Sequence, residues 1–125
     1  MHMNTFPHIQ SKTSNFEQTA MIADVLEKRL KTLEKFLPAG ETRLACAVEL
    51  EKLTDQQSGR IFRAEVNLHV GGTLFRAEAT EESMEDAIEK VKNELKTELV
   101  RTHGRNQSLF RRGAQKLKGM LRFGG

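Results

Sequence analysis

The fold is decided by residues 62–79, which read FRAEVNLHVGGTLFRAEA. Apolar and polar residues alternate on both sides of the central Gly-Gly pair, and a period of two places the apolar side chains of a strand on one face. Two glycines between such runs are typical of the two-residue turn of a β-hairpin. A turn that pairs Val70 with Thr73 aligns Leu68 with Phe75, so the sequence predicts a hairpin with one apolar face.

A long amphipathic helix is predicted directly after the hairpin. Its apolar residues follow the i, i+3, i+4, i+7 spacing of one helix face, at Met84, Ala87, Ile88, Val91, Leu95 and Leu99. Ser83 is a natural N-cap, and Gly104 is predicted to end this helix after about twenty residues. Since the apolar stripe needs a partner, we expect it to pack on the apolar face of the hairpin.

The first half of the chain predicts another helix between two further strands. Residues 3–9 are interpreted as an edge strand, a position where Pro7 is tolerated, and the polar residues that follow as a turn. A helix is expected from Thr19 until Pro38 stops it, and residues 43–53 alternate as a strand. The order βαβββα predicts an α+β fold, a two-layer sandwich with a four-stranded mixed sheet and two helices packed on one face.

Charge divides the chain into two predicted parts. The net charge is +3, from 20 Lys and Arg against 17 Asp and Glu, and all the acidic residues lie before Gly104. Residues 1–104 are interpreted as the folded domain, and residues 105–125 as a basic amphipathic C-terminal tail. The cations of the tail are Arg105, Arg111, Arg112, Lys116, Lys118 and Arg122. A basic tail suits a polyanionic partner.

The helices carry the other candidate cations. In the first helix they lie opposite the apolar stripe, at Lys28, Lys31 and Lys35. In the second helix they flank the stripe, with Lys92, Lys96 and His103 on one side and Lys90 and Arg101 on the other. A solvated helix face and an anion-binding ridge both explain the lysines of the first helix. The polar face of the sheet is mixed in sign and is predicted to be solvated.

No pattern in the sequence is typical of catalysis or of metal binding. The four histidines show no ligand spacing with Cys or carboxylates, so we expect no metal and no cofactor. No nucleophile, base and oxyanion site come together, which predicts a protein that is not an enzyme and has no small-molecule substrate. The single cysteine, Cys46, lies among alternating apolar residues and is predicted to be a core thiol. Without a secretory signal or a membrane span, the expected location is the cytoplasm.

The element order and several local strings resemble the ribosome hibernation-promoting factors, also called ribosome-associated inhibitor or sigma-factor modulation proteins. The resemblance covers residues 19–103. Its clearest pieces are Leu33-Glu34-Lys35-Phe36, Leu68-His69-Val70 with the adjacent Gly71-Gly72, and Met84-x-x-Ala87-Ile88 with Leu95 and Leu99.

The resemblance implies a partner and a mode of binding. In that family the domain binds rRNA of the small ribosomal subunit, in the channel used by mRNA and tRNA, through basic residues on its two helices. Arg29 and Arg101 match basic positions of the family, whereas Thr32, Glu94 and His103 stand where lysines are usual. The expected protein is a short family member that acts as a monomer off the ribosome and does not pair ribosomes through a C-terminal dimerisation domain.

The sequence is also compatible with two other hypotheses about function. A double-stranded RNA-binding module also packs two helices on a three-stranded sheet and reads RNA shape. Alternatively, the amphipathic tail docks on a protein or on an anionic membrane, although a membrane is not the expected partner.

Overall fold

Four strands and two helices follow one another in the order predicted from the sequence. The structure is a computed structural model, and it describes residues 6–54 and 58–104. The elements are β1 (Ile9–Ser14), α1 (Ala20–Lys31), β2 (Leu44–Lys52), β3 (Phe62–Val70), β4 (Thr73–Glu81) and α2 (Met84–Leu99). A 3₁₀ segment follows α1 at Thr32–Phe36, and a π-helical turn follows α2 at Val100–Gly104.

The sheet has the strand order β1-β2-β3-β4 and is mixed, as predicted. β1 pairs with β2 in parallel, and the other two pairs are antiparallel. The predicted hairpin register is confirmed, since Val70 pairs with Thr73 and Leu68 pairs with Phe75. Of the two glycines in the turn, only Gly71 has a positive φ, +63°. A positive φ at the first central residue alone is the pattern of a type II′ turn, whose twist matches that of the two strands.

The conformation of the hairpin turn predicts unequal costs for alanine at its two glycines. An alanine at position 71 would have to adopt a disfavoured positive φ, and its Cβ would lie 2.8 Å from Glu41 Oε1. Gly71→Ala should therefore destabilise the chain by about 1–3 kcal/mol. Gly72 has no positive φ and nothing within 4 Å of an added Cβ, so Gly72→Ala should stay within about 0.5 kcal/mol. Urea unfolding followed by circular dichroism measures both changes. Equal costs at the two positions would contradict this description of the turn.

The core lies between the sheet and the two helices. Inward-facing residues of β2, β3 and β4 join the buried stripes of α1 and α2 in one hydrophobic cluster. Cys46 is part of it with 2% of its surface exposed, which confirms the predicted core thiol. The α+β two-layer sandwich is therefore confirmed. No helix within the described ranges combines the length and apolar character needed to cross a bilayer.

The first strand lies later in the chain than predicted. Its observed range is Ile9–Ser14, whereas the prediction was residues 3–9, of which residues 3–5 lie outside the described part. The polar residues interpreted as a turn form the strand itself, because parallel pairing such as Ser11 with Val48 supplies their backbone hydrogen bonds. An edge strand leaves polar side chains in water, so this one lacks the apolar alternation that identified the other three.

Both helices change type before their predicted ends. α1 ends at Lys31, and the chain continues in 3₁₀ geometry, with the Leu37 N–H donating to the Glu34 carbonyl at 3.1 Å. This tighter turn still buries Leu33 and Leu37, the last apolar residues of the predicted stripe. α2 ends at Leu99, and the wider π turn carries the chain on to Gly104, the residue predicted to end the helix.

The outer face of the sheet is polar and mixed in sign, as predicted. Arg63 lies at its centre and forms ion pairs with four carboxylates, those of Glu49, Glu51, Glu65 and Glu78. The shortest of these joins Arg63 Nη2 to Glu78 Oε2 at 2.5 Å, and the hydrogen bond lowers the pKa of Glu78. The charges of this face are thus largely neutralised by one another.

Candidate nucleic-acid interface

Capping side chains fix the starts of both helices, at the positions where the sequence predicts them to begin. Thr19 Oγ1 accepts a hydrogen bond from the Ile22 N–H at 3.2 Å, and Ser83 Oγ accepts one from the Asp86 N–H at 3.1 Å. Each cap fixes where its helix begins, and the buried apolar stripe fixes which face of the helix packs on the core. The cations beside the two stripes are therefore held at defined positions.

The helices present a cluster of cations where they face each other, which we call the helix seam. It comprises one aromatic residue, one acidic residue and four basic residues: Phe36, Glu89, Arg29, Lys35, Lys92 and Lys96. These residues come from α1, the 3₁₀ segment and α2. The seam has a formal charge of +3, because four cations face a single carboxylate.

Glu89 lies between a cation of each helix. Its Oε1 is 3.2 Å from Arg29 Nη1 on α1, and its Oε2 is 3.0 Å from Lys92 Nζ on α2. The pKa of Glu89 is lowered, mainly by the hydrogen bond from Lys92 and further by the charges of Lys92 and Arg29. This carboxylate is therefore ionised at neutral pH and joins the two helices electrostatically.

Two further lysines of the seam approach the same aromatic ring. Lys35 Nζ lies 5.4 Å from the centroid of Phe36, and Lys96 Nζ lies 5.5 Å from it. Both distances are within the range of cation–π attraction. Within residues 6–54 and 58–104, neither ammonium group forms an ion pair with a carboxylate. Their positive charge is thus available to an external anion.

The other predicted cations of the helices have different surroundings. Lys28 pairs with Asp24 at 3.1 Å, and Lys90 pairs with Glu81 at 3.3 Å. Arg101 pairs with Glu98 at 3.1 Å. Lys31 lies on the side of α1 that faces the first strand, where it lines a groove with residues of the N-terminal segment. The six predicted cations of the tail lie outside the described residues.

His103 is directed inward from the π-helical turn. Its ring lies 5.5 Å from the ring of Phe75, and burial lowers its pKa, so the imidazole is neutral at neutral pH. In the described part of the chain its Nδ1 atom is buried without a hydrogen-bond partner. His103 therefore packs against the end of the core and adds no positive charge to the surface at pH 7.

The seam contains two residues that sequence reasoning did not select. In the sequence, Phe36 belongs to one of the strings that resemble the family, and Glu89 is an acidic residue in the first half of the second helix. The spacing of Glu89 and Lys92, three residues apart on one helix, indicates their pairing. No pattern in the sequence indicates that Arg29, sixty positions earlier, meets the same carboxylate.

A family model described as sigma 54 modulation protein / S30EA ribosomal protein matches residues 9–107, which include every residue of the seam. The chain belongs to this family. The match confirms the resemblance to hibernation-promoting factors. No curated protein matches the chain.

Two solved structures show the same fold as this S30EA family member. The N-terminal domain of Protein Y from Thermus thermophilus is 22% identical, with a TM-score of 0.58, and the match covers 78% of this chain and 98% of that one. A ribosomal subunit interface protein from Coxiella burnetii is 16% identical, also with a TM-score of 0.58, and the match covers 76% of this chain and 96% of that one. At these identities the likeness supports the fold alone.

The described residues offer no group of three His, Cys, Asp or Glu side chains that could hold a metal ion. The seam presents lysine and arginine donors from α1, the 3₁₀ segment and α2. Such donors recognise phosphate oxygens by charge and hydrogen bonding.

Proposed function

We propose that this protein is a ribosome hibernation factor that binds rRNA of the small subunit and needs no catalysis. It occupies the channel used by mRNA and tRNA and inhibits translation by excluding both from it. It acts in the cytoplasm, as a monomer off the ribosome. Membership of the S30EA family supports the association with ribosomes, and the helix seam supports the choice of rRNA phosphates as the ligand.

The observation that carries the proposal is the position of Lys35 and Lys96. The two ammonium groups come from the 3₁₀ segment and from α2, and both lie close to the Phe36 ring. Neither has a carboxylate partner in the described part of the chain. Cations in this state gain the most from a phosphate, because no internal ion pair must be broken first. Binding through such contacts is governed by charge and depends strongly on salt.

The remaining helix cations extend the proposed interface. Lys28, Lys90 and Arg101 form ion pairs that are exposed to solvent, and exposed pairs contribute only about 0–1 kcal/mol each. Such pairs can exchange a carboxylate for a phosphate at little cost. Lys31 and the tail cations complete the proposed set of contacts, and His103 has a packing role.

The double-stranded RNA module is the weaker alternative for this chain. That architecture packs two helices on a three-stranded sheet. Here a fourth strand, β1, pairs in parallel with β2. A test with small subunits and with a free RNA duplex as competitor separates the two ligands.

The seam lysines provide the test of the proposed function. We expect Lys35→Gln with Lys96→Gln to weaken binding to purified small subunits by about tenfold at low salt, because two phosphate contacts are lost. The slope of log affinity against log salt should fall by about 2. Co-sedimentation over a range of salt concentrations measures both, and displacement of mRNA and tRNA from the subunit tests the mechanism.

The matched control changes the same number of charges on the outer face of the sheet. Lys12 pairs with Glu49 and Arg76 pairs with Glu65, and neither cation belongs to the helix seam. Lys12→Gln with Arg76→Gln should change the affinity by less than about twofold, since these charges are distant and screened. The proposal fails if the native chain does not sediment with small subunits, if a free RNA duplex competes equally well, or if the two double variants behave alike.

A further inference from the structure

We propose that Arg29 and Lys92 form a phosphate-binding site which the carboxylate of Glu89 occupies in the free protein. Glu89 is then an internal competitor that limits the affinity of the seam for RNA. This inference rests on the proposed function, because its ligand is a phosphodiester group of the bound RNA. It goes beyond the proposed function because it assigns a role in RNA binding to an acidic residue, Glu89.

The geometry around Glu89 is that of an anion held by two cations. Arg29 and Lys92 approach separate oxygens of one carboxylate, at 3.2 and 3.0 Å. Lysine is seldom buried unless it is paired, and the Lys92 side chain is only 16% exposed. Guanidinium and ammonium groups that converge in this way suit a phosphate as well as a carboxylate, since both anions offer oxygens at similar spacing.

The two contacts of Glu89 differ in strength. Oε2 faces Lys92 and also accepts a hydrogen bond from Asn93 Nδ2 at 3.4 Å. Oε1 has no hydrogen-bond partner in the described part of the chain, so Arg29 is attached to it by charge alone. Arg29 is therefore the cation that can leave most easily, and its side chain, 47% exposed, is accessible to a ligand.

Competition follows from the charge at the seam. A phosphate that binds Arg29 must draw it from Glu89, and the nearby carboxylate repels the phosphate throughout. Lys35 and Lys96 have no such competitor in the described ranges. Removing the charge of Glu89 raises the formal charge of the seam from +3 to +4 and leaves Arg29 free to bind.

The decisive variant is Glu89→Gln, which keeps the size of the side chain and removes its charge. We expect it to bind small subunits about three- to tenfold more tightly than the native chain at low salt. The slope of log affinity against log salt should become steeper by about 1, because one more phosphate is neutralised. Fluorescence anisotropy of labelled protein titrated with purified small subunits measures both quantities.

The control is Glu82→Gln, the same change of charge at an exposed residue just before α2 that has no ion pair with a described residue. It should alter the affinity by less than about twofold. Equal gains from the two variants would overturn the inference, since net charge alone would then explain them. An unchanged or weaker affinity of Glu89→Gln would also overturn it.

Two further measurements keep the inference testable. In a double-mutant cycle, Arg29→Gln should cost more affinity in the Glu89→Gln chain than in the native chain. If Glu89→Gln fails to fold, Arg29→Gln alone should cost less than Lys96→Gln, and a larger cost would overturn the inference. A native chain that does not bind small subunits refutes the proposed function instead, which separates the two failures.

Discussion

Leu68→Ala is expected to destabilise the folded chain by about 2–5 kcal/mol, a large part of the stability of a domain of this size. Leu68 lies in the central strand β3 with none of its surface exposed. Its strand neighbours are Cys46 on β2 and Phe75 on β4, both of which are buried as well. The smaller side chain would leave a cavity that the sheet cannot close from either side. Urea unfolding followed by far-UV circular dichroism is the suitable measurement, because the chain has no Trp or Tyr.

A second leucine in the same hairpin provides the matched control. Leu74 is in β4 on the outer face, with 52% of its surface exposed. Leu74→Ala should therefore change the free energy of unfolding by less than about 1 kcal/mol. The contrast tests the assignment of faces, since the two leucines differ mainly in the side of the sheet on which they lie. Similar costs for both would contradict the core described above.

Alkylation of Cys46 is expected to be at least about a thousandfold slower in the folded chain than in the unfolded chain, because only the thiolate reacts. Burial raises the pKa of this thiol from 9.0 to about 12, so very little thiolate is present at pH 8. The rate should rise with pH, since each unit increases the thiolate fraction tenfold below the pKa. Mass spectrometry after reaction with iodoacetamide, with and without urea, gives the ratio of rates for this single cysteine.

The neighbouring position in β2 supplies the control for Cys46. Ala45 is exposed on the opposite face. A chain with Cys46→Ala and Ala45→Cys should react at nearly the same rate with and without urea. If native Cys46 reacts as fast as the cysteine of this control, its thiol is not part of the core.

Most of the fold was predictable from local patterns in the chain. The alternation around the Gly-Gly turn correctly predicted the register of β3 and β4, because a shift of one residue would expose the apolar face. Ser83 and Thr19 correctly marked the starts of the helices, since each side chain satisfies a backbone N–H that the helix leaves free. These features depend on residues that are close in sequence or that repeat with a fixed period.

The errors fall where tertiary contacts override local preference. β1 carries no apolar pattern, and it forms only because β2 offers an edge for parallel pairing. The 3₁₀ segment after Lys31 replaces the predicted last turns of α1. Its geometry brings Phe36 within reach of both Lys35 and Lys96, an arrangement across two elements that the wheel of a single helix does not reveal.

The sequence predicted which cations belong to the candidate site, and it did not predict which side chains form ion pairs there. Helix periodicity correctly placed Lys92 and Lys96 on the same flank of α2, and that flank faces α1 and the 3₁₀ segment. The ion pair of Arg29 with Glu89 depends on how two helices dock on the sheet, so it could be found only in three dimensions.

The short turn between β3 and β4 also restricts how the length of this chain can change in evolution. If the two-residue turn is kept, insertion or deletion of one residue there would move β4 by one position against β3, and every side chain of β4 would exchange faces. Arg76 would then be brought against the helices, and Phe75 would lie in water. Homologues should accordingly vary in length at other loops and keep the number of residues in this one.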